Sequence, residues 1–389
     1  MPDHAGLSRS LVTVMAVACG AIVANIYYAQ PLVGLIAPSI RLDQNVASFV
    51  VTLTQLGYCV GLILLVPLGD LLENRKAIVV TLLAAVVALL AAMFAPSAGI
   101  FLAAALAIGI TSVAVQMLVP LAAHMAPEET RGRVVGNVMG GLIAGILLAR
   151  PVASLIADSF GWRAVFGFSA VVTILFTILL AAKLPRRQPA HELSYAGALR
   201  SLWGIFRDTP ILRRRAAYQA AVFASFALFW TAAPLELAGP NFNMTQRGIA
   251  LFALAGAAGA FAAPIGGRIA DRGWSKPATA LALLLVAASF LLARLGSSGS
   301  LAAMVIAGIL LDSGVQANQV MGQREIYSLH PHLRSRLNAV YMAIVFLGGS
   351  LGSAVASVSY THGGWGTVCW VGIAFPLAAL AFYMTELFD

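Results

Sequence analysis

Apolar residues run along this chain in long unbroken blocks, not at every second or fourth position. Cut at charged or Gly/Pro-rich breaks, the sequence yields twelve of them: 10–37, 47–68, 77–95, 98–122, 135–157, 164–184, 216–238, 248–266, 277–295, 300–322, 337–359 and 367–386. Each is close to the roughly 20 residues a helix needs to cross a bilayer. Continuous apolar runs with Gly and Ala throughout predict helices, because barrel strands alternate apolar and polar positions over about 10 residues. Arg9 followed by an apolar run from Leu11 mimics a secretory leader. That run continues to Ala37, well beyond a leader core of about 7–15 residues, and predicts an uncleaved first span.

Composition agrees, with 60% hydrophobic and 10% charged residues, whereas a soluble domain carries about 25% charge. The net charge of +9 raises the question of a nucleic-acid partner, and its placement answers it. With the N-terminus inside, one set of alternate loops and span ends holds nineteen of the basic residues, among them Arg9, Lys76, Arg131, Arg213 and Arg334. The other set holds Arg41, Arg163, Arg247 and Arg294. Lys/Arg excess marks cytoplasmic loops, so both termini are expected inside, and no nucleic acid is expected as a partner. The longest polar segment, 185–215, divides the chain into 1–184 and 216–389. Arg213-Arg214-Arg215 at its end reads as an anchor to anionic headgroups. Cys19, Cys59 and Cys369 lie in apolar runs and read as small buried hydrophobes.

The two parts repeat. Arg131-Gly-Arg133 and Arg334-Ser-Arg336 stand 203 residues apart, and Gly161-Trp162 and Gly364-Trp365 keep that offset. So do Gln116 with Gln319, Gly145 with Gly348 and Pro31 with Pro234, while Gly69-Asp70 and Ala270-Asp271 match at 201. Six spans per unit insert both units the same way round. The prediction is an all-α membrane protein of twelve transmembrane helices in two pseudo-symmetric six-helix bundles. Gly141-x-x-x-Gly145 and Gly348-x-x-x-Gly352 are small-residue faces on which helices approach closely.

Gly267-Arg-Ile-Ala-Asp271-Arg272-Gly273 resembles the loop signature of the major facilitator superfamily, and Val66-Pro-Leu-Gly69-Asp70 followed by Arg75-Lys76 resembles the same signature in degraded form. Two parallel six-helix halves are that superfamily's architecture. Asn25-Ile-Tyr-Tyr-Ala-Gln-Pro31 and the stretch from Pro120 to Arg150 resemble twelve-span bacterial drug/proton antiporters and related metabolite exporters. The resemblance implies a bacterial inner-membrane secondary transporter that works by alternating access, with a substrate site between the halves. It also implies that Asp70 and Asp271 hold an inner gate shut by pairing with Arg131, Arg133, Arg334 or Arg336, beside Arg272; the alternative is that these charges only set topology.

Ionisable residues at membrane depth are costly and functional by default. Two lie clearly inside spans, Asp312 and Arg150. Gln316, Gln319 and Gln323 follow Asp312 at i+4, i+7 and i+11, so the four share one helical face. Asp312 is the candidate proton-coupling residue; the bland reading is packing. Arg150 has three readings: it snorkels outward, binds an anionic substrate, or pairs with a carboxylate across the cavity. Further substrate-binding candidates are Asn25, Tyr27, Tyr28, Gln30, Gln55, Tyr58, Gln116, Phe229, Trp230, Gln316 and Gln319. Few charges among amides and aromatics suit a moderately apolar or amphipathic solute. Glu236 reads as interfacial. His330-Pro-His332 lacks a third ligand, so no metal is expected. No nucleotide-binding or triad motif appears, so the chain is not expected to be an enzyme or to carry a cofactor. The expectation is proton-coupled efflux of a drug or metabolite by a monomer. Proton-coupled or facilitated uptake of a sugar, organic acid or similar metabolite is the alternative, and a non-transporting receptor or assembly partner is a third.

Overall fold

The structure, a computed structural model, describes residues 8–188, 194–262, 275–329 and 333–387. Its helices are α1 (Arg9–Ala24), α2 (Val33–Ser39), α3 (Phe49–Leu64), α4 (Asn74–Met93), α5 (Ala98–Ser112), α6 (Ala114–Met125), α7 (Arg131–Phe160), α8 (Trp162–Lys183), α9 (Tyr195–Asp208), α10 (Pro210–Ala238), α11 (Gln246–Gly256), α12 (Ser275–Ala293), α13 (Leu301–Leu329) and α14 (Arg334–Met384). No strand occurs among the described residues. Helix occupies all twelve predicted stretches, the eighth as far as residue 262. Among the described residues, nine continuous helical runs are long and apolar enough to cross a membrane, and α14 carries two spans in one run.

The starts are capped as the sequence allows. Ser8 accepts from the Leu11 N–H and Ser194 from Gly197, and Glu73 accepts from Arg75 and Lys76. Each cap satisfies donors that the first turn leaves unpaired. The breaks repeat between halves. Gly161 and Gly364 have φ of +80° and +62°, a region open to glycine but strained for other residues. Each turns the chain sharply between two spans and is followed by a buried tryptophan, Trp162 or Trp365.

Small residues set the helix spacing inside each half. Gly141 and Gly145 lie against the backbone of Ala16 and Gly20 in α1, and Gly348 and Gly352 against Ala220 and Ala224 in α10, with no room for a Cβ at any of the four. The first and fifth spans of each half therefore meet the same way. In a membrane this packing, rather than exclusion from water, drives association.

The halves meet along α3 and α14, which run antiparallel. Ser357 Oγ accepts from the Ser48 N–H at 2.8 Å, Thr52 and Ser353 hydroxyls bond at 3.0 Å, Gln55 lies on Gly349, and the Tyr58 and Phe346 rings are 4.4 Å apart. Residues 48, 52, 55 and 58 form one helical face. Gln116 continues this contact toward the arginine-rich end by accepting from Asn338 at 3.5 Å.

The described part of the segment between the halves is largely helical from residue 195 on. Within it α9 buries Ala198 and Leu202, and α10 begins at Pro210. Arg215 is not a headgroup anchor. It is 3% exposed, ion-paired with Glu325 of α13, and bonded to Thr279 of α12 at 2.9 Å. The side chain lies on the face of α10 that packs into its own half, so its charge needs a partner there. Arg213 stays exposed.

Candidate functional site

Two interrupted spans build the centre. α1 stops at Ala24; a turn over 25–29 and a 3-10 helix over Gln30–Leu32 precede α2. Pro31 has no N–H to give the ladder. The break holds Tyr27, Tyr28 and Gln30, all buried. In the second half, α11 gives way to a 3-10 helix at Ala257–Phe261. Its Gly259 lies so close to Ile309 and Asp312 that no Cβ fits, and Ser313 donates to the Gly259 carbonyl. Irregular backbone at membrane depth persists where protein covers it or it lines a cavity.

Arg150 and Asp312, one from each half, meet at Trp230. Arg150 is 3% exposed and Asp312 4%. The Arg150 guanidinium lies 4.5 Å from the Trp230 ring centroid, 4.8 Å from Phe226 and 5.3 Å from Tyr27. Arg150 Nε donates to Gln30 Oε1 at 2.8 Å, and Trp230 Nε1 donates to Asp312 Oδ1 at 2.8 Å. The ring face carries the cation and the ring edge holds the carboxylate, so the indole joins the two charges without a direct ion pair. Arg150, Asp312 and Tyr27 act electrostatically on one another. Cation–π contacts of this kind contribute about 2 kcal/mol when desolvated. Arg150 Nη2 and Gln30 Nε2 are buried and have no partner.

Trp230 is held in turn. Gly256 of α11 abuts the Cζ2–Cη2 edge of its ring with no room for a Cβ, and Phe229 and Phe252 pack at 5.4 and 5.6 Å. Phe229 itself faces Phe290 and Trp365 inside the second half.

The other candidates fall into separate groups. Tyr58 accepts from Gln116 at 3.0 Å, in the α3–α14 contact. Both amide atoms of the buried Gln55 lack partners there. Asn25 turns to α8, where its oxygen accepts from Ser169. The glutamine stripe faces neighbouring helices: Gln319 accepts from Gln219 of α10 at 3.4 Å, Gln323 donates to Asn338 at 3.3 Å, and Gln316 is half-buried. Glu236 accepts from Asn241 and Tyr360 and ties the loop after α10 to α14. Sequence reasoning missed Gln219, Asn318 and Asn338, although Asn318 donates to Gln219 at 2.7 Å in a buried network. The signal was there: Gln219 follows Arg215 by one turn on an otherwise apolar helix. No group of His, Cys, Asp or Glu that could hold a metal occurs among the described residues, and His330 and His332 lie outside them.

The Major Facilitator Superfamily profile matches residues 12–321 and again 216–388. The chain belongs to this superfamily. It is a multi-pass membrane transporter. A transporter of Escherichia coli O157:H7 described as uncharacterized, YgaY, is 43% identical over 380 residues, covering 97% of this chain and 96% of its own. A probable transporter of Streptomyces coelicolor, SCO4007, is 35% identical over 365 residues, covering 93% and 84%. A D-xylose–proton symporter structure superposes with a TM-score of 0.73 at 16% identity, over 96% of each chain; it shares the fold.

The residues expected at an inner gate lie only partly within the described residues. Asp271 and Arg272 lie outside the described residues, as does the side chain of Asp70. Arg131 and Arg334 act alike: each donates from Nε at 3.1 Å to a carbonyl on the preceding helix segment, Ala123 and Tyr327. Arg133 lines a groove with Arg9 and Asn137 between α1 and α7, and Arg336 is half-buried.

Proposed function

We propose that this protein is a proton-coupled secondary transporter of small organic solutes, working by alternating access with its proton carried on Asp312. What supports the reading is one arrangement: among the described residues, the single carboxylate at that depth belongs to one half, the single cation to the other, and one indole holds both. A carboxyl so placed changes the electrostatic bond between the halves when it takes or gives a proton, and rocking of the halves is how this fold alternates access. Removal of both groups from water makes that change large. The proposed setting is a bacterial inner membrane with both termini inside, in keeping with the arginine-rich loops, and a monomer as the working unit.

Exchange of entering protons for a departing drug or metabolite is the mode implied by resemblance to drug/proton antiporters. Proton-coupled uptake is the second reading, and the nearness of Arg150 to Asp312 favours it for any anionic solute. Flux in proteoliposomes tests the proposal. Asp312→Asn is expected to abolish flux driven by a pH gradient while leaving solute counterflow largely intact. Unchanged pH-driven flux would overturn the proton assignment, and an inside-alkaline gradient driving accumulation, not loss, would favour uptake over efflux.

A further inference from the structure

We infer that the solute is an organic monocarboxylate, its carboxylate seated on Arg150 Nη2 and Gln30 Nε2, and that it binds together with a proton at Asp312; the inference rests on the proton site proposed above. Arg150 is built for this. Three rings cover its faces and Gln30 takes its Nε. The guanidinium is thereby held in one orientation, with Nη2 left over on its edge. That atom and Gln30 Nε2 are donors, buried and unpartnered, and they belong to neighbouring side chains. Two open donors on adjacent, hydrogen-bonded side chains, one of them a guanidinium, suit the two oxygens of a carboxylate. One guanidinium beside one neutralised carboxyl leaves room for one negative charge, which disfavours dicarboxylates and phosphates. A cationic solute would meet a fixed buried cation.

The link to the proton follows from charge. The groups around Asp312 are Arg150 from α7, Tyr27 from the broken first span, the Trp230 indole from α10 and the Gly259 backbone beside Ser313. α12 meets this part of α13 at Gly314 through apolar Ala282 and Val286. α14 meets α13 through neutral Tyr341 and Asn338, further toward the arginine-rich end. Among the described residues, Arg150 is therefore the fixed cation that acts on Asp312. With Asp312 ionised, Arg150 is balanced and an entering carboxylate is repelled. With Asp312 protonated, Arg150 is left to the solute. Each ligand raises the affinity for the other, and by linkage the effect is reciprocal. Positive linkage of proton and anion is the thermodynamic condition for carrying both in one direction.

The test uses the purified full-length protein and a panel of monocarboxylates (lactate, benzoate, salicylate and indole-3-acetate), each beside its amide and amine analogue. Thermal shift and calorimetry at a series of pH values are the readouts. At least one monocarboxylate is expected to bind at acid pH, to take up about one proton, and to weaken by up to about tenfold per pH unit as Asp312 ionises. Arg150→Gln is expected to lose that binding. Should it not fold, Arg150→Lys is expected to weaken it by about tenfold or more, since an ammonium lacks the planar fork. Asp312→Asn is expected to keep anion binding and lose its pH dependence. Binding of an amide or amine but no monocarboxylate, no binding by any member of the panel, or proton release on binding would each overturn the inference. Anion binding that needs Arg150 but ignores pH in the native protein would instead overturn the proton site. Proton-driven flux of a neutral solute that survives in Arg150→Gln would sink the anion while sparing the proton.

Discussion

At the scale of residues, the centre of the molecule depends on one side chain with two chemistries. Trp230 offers a π face to Arg150 and an N–H to Asp312. Phenylalanine keeps the first and lacks the second. A buried acceptor stripped of its donor costs about 1–3 kcal/mol, and the cost falls on the ionised carboxylate far more than on the protonated one. Trp230→Phe is therefore expected to favour the protonated carboxyl and move the pH profile of transport toward higher pH, with the loss of rate falling on its acid side, where proton release limits turnover. A uniform loss at every pH would mean that only the ring's bulk matters. Arg150 and Asp312 were legible in the sequence because charge is rare in apolar runs. Their meeting was not, because Arg150 lies in the fifth span and Asp312 in the tenth, and only an intervening indole closes the distance. The Arg215–Glu325 pair escaped for the opposite reason: an arginine in a basic run looks exposed until the packing of α10 buries it.

Among the elements, two kinds of small-residue contact divide the work. Gly145 and Gly348 fasten the first and fifth spans within each half, backbone against backbone. The Ser48, Thr52 and Gln55 face of α3 meets Ser357, Ser353 and Gly349 of α14 across the halves through few and short side chains. Hydroxyl pairs in membranes contribute modestly, about 0.6 kcal/mol on average, which suits a contact that must open. Gly348→Leu is expected to lower the melting temperature markedly, because overpacking a rigid core costs about 1–3 kcal/mol or more. Ser353→Leu is expected to leave stability nearly unchanged and cut transport at least tenfold by wedging the halves apart at that end. The reverse pattern would make the α3–α14 contact a structural seam. The GxxxG faces and the twelve spans could be read from spacing alone. The antiparallel match of α3 to α14 could not, since serine, threonine and glycine carry no signal of which helix they will meet.

For the whole molecule, Arg215 ties α10 to α12 and α13 at the arginine-rich end of the second half, with Glu386 at 3.8 Å. Breaking a fully buried pair costs about 3–5 kcal/mol; Glu325 is 35% exposed, so the loss here is smaller. Arg215→Ala is expected to lower the melting temperature clearly, and Arg213→Ala hardly at all; equal effects would return Arg215 to the surface. The duplication extends to fine detail, as with Arg131 and Arg334, whose matched bonds to preceding carbonyls follow from their matched places in the repeat. Yet the centre is asymmetric, with its cation in the first half and its carboxylate in the second. By itself the sequence determined the helices, their number, the repeat and the two buried charges, because hydrophobic length, offset and charge scarcity are one-dimensional properties. The tertiary structure alone decided that the charges share Trp230, that the first span breaks to bring Gln30 to Arg150, and that two donors there remain open. Those facts depend on which faces of distant helices meet, and apolar surfaces in a membrane leave that choice to close packing.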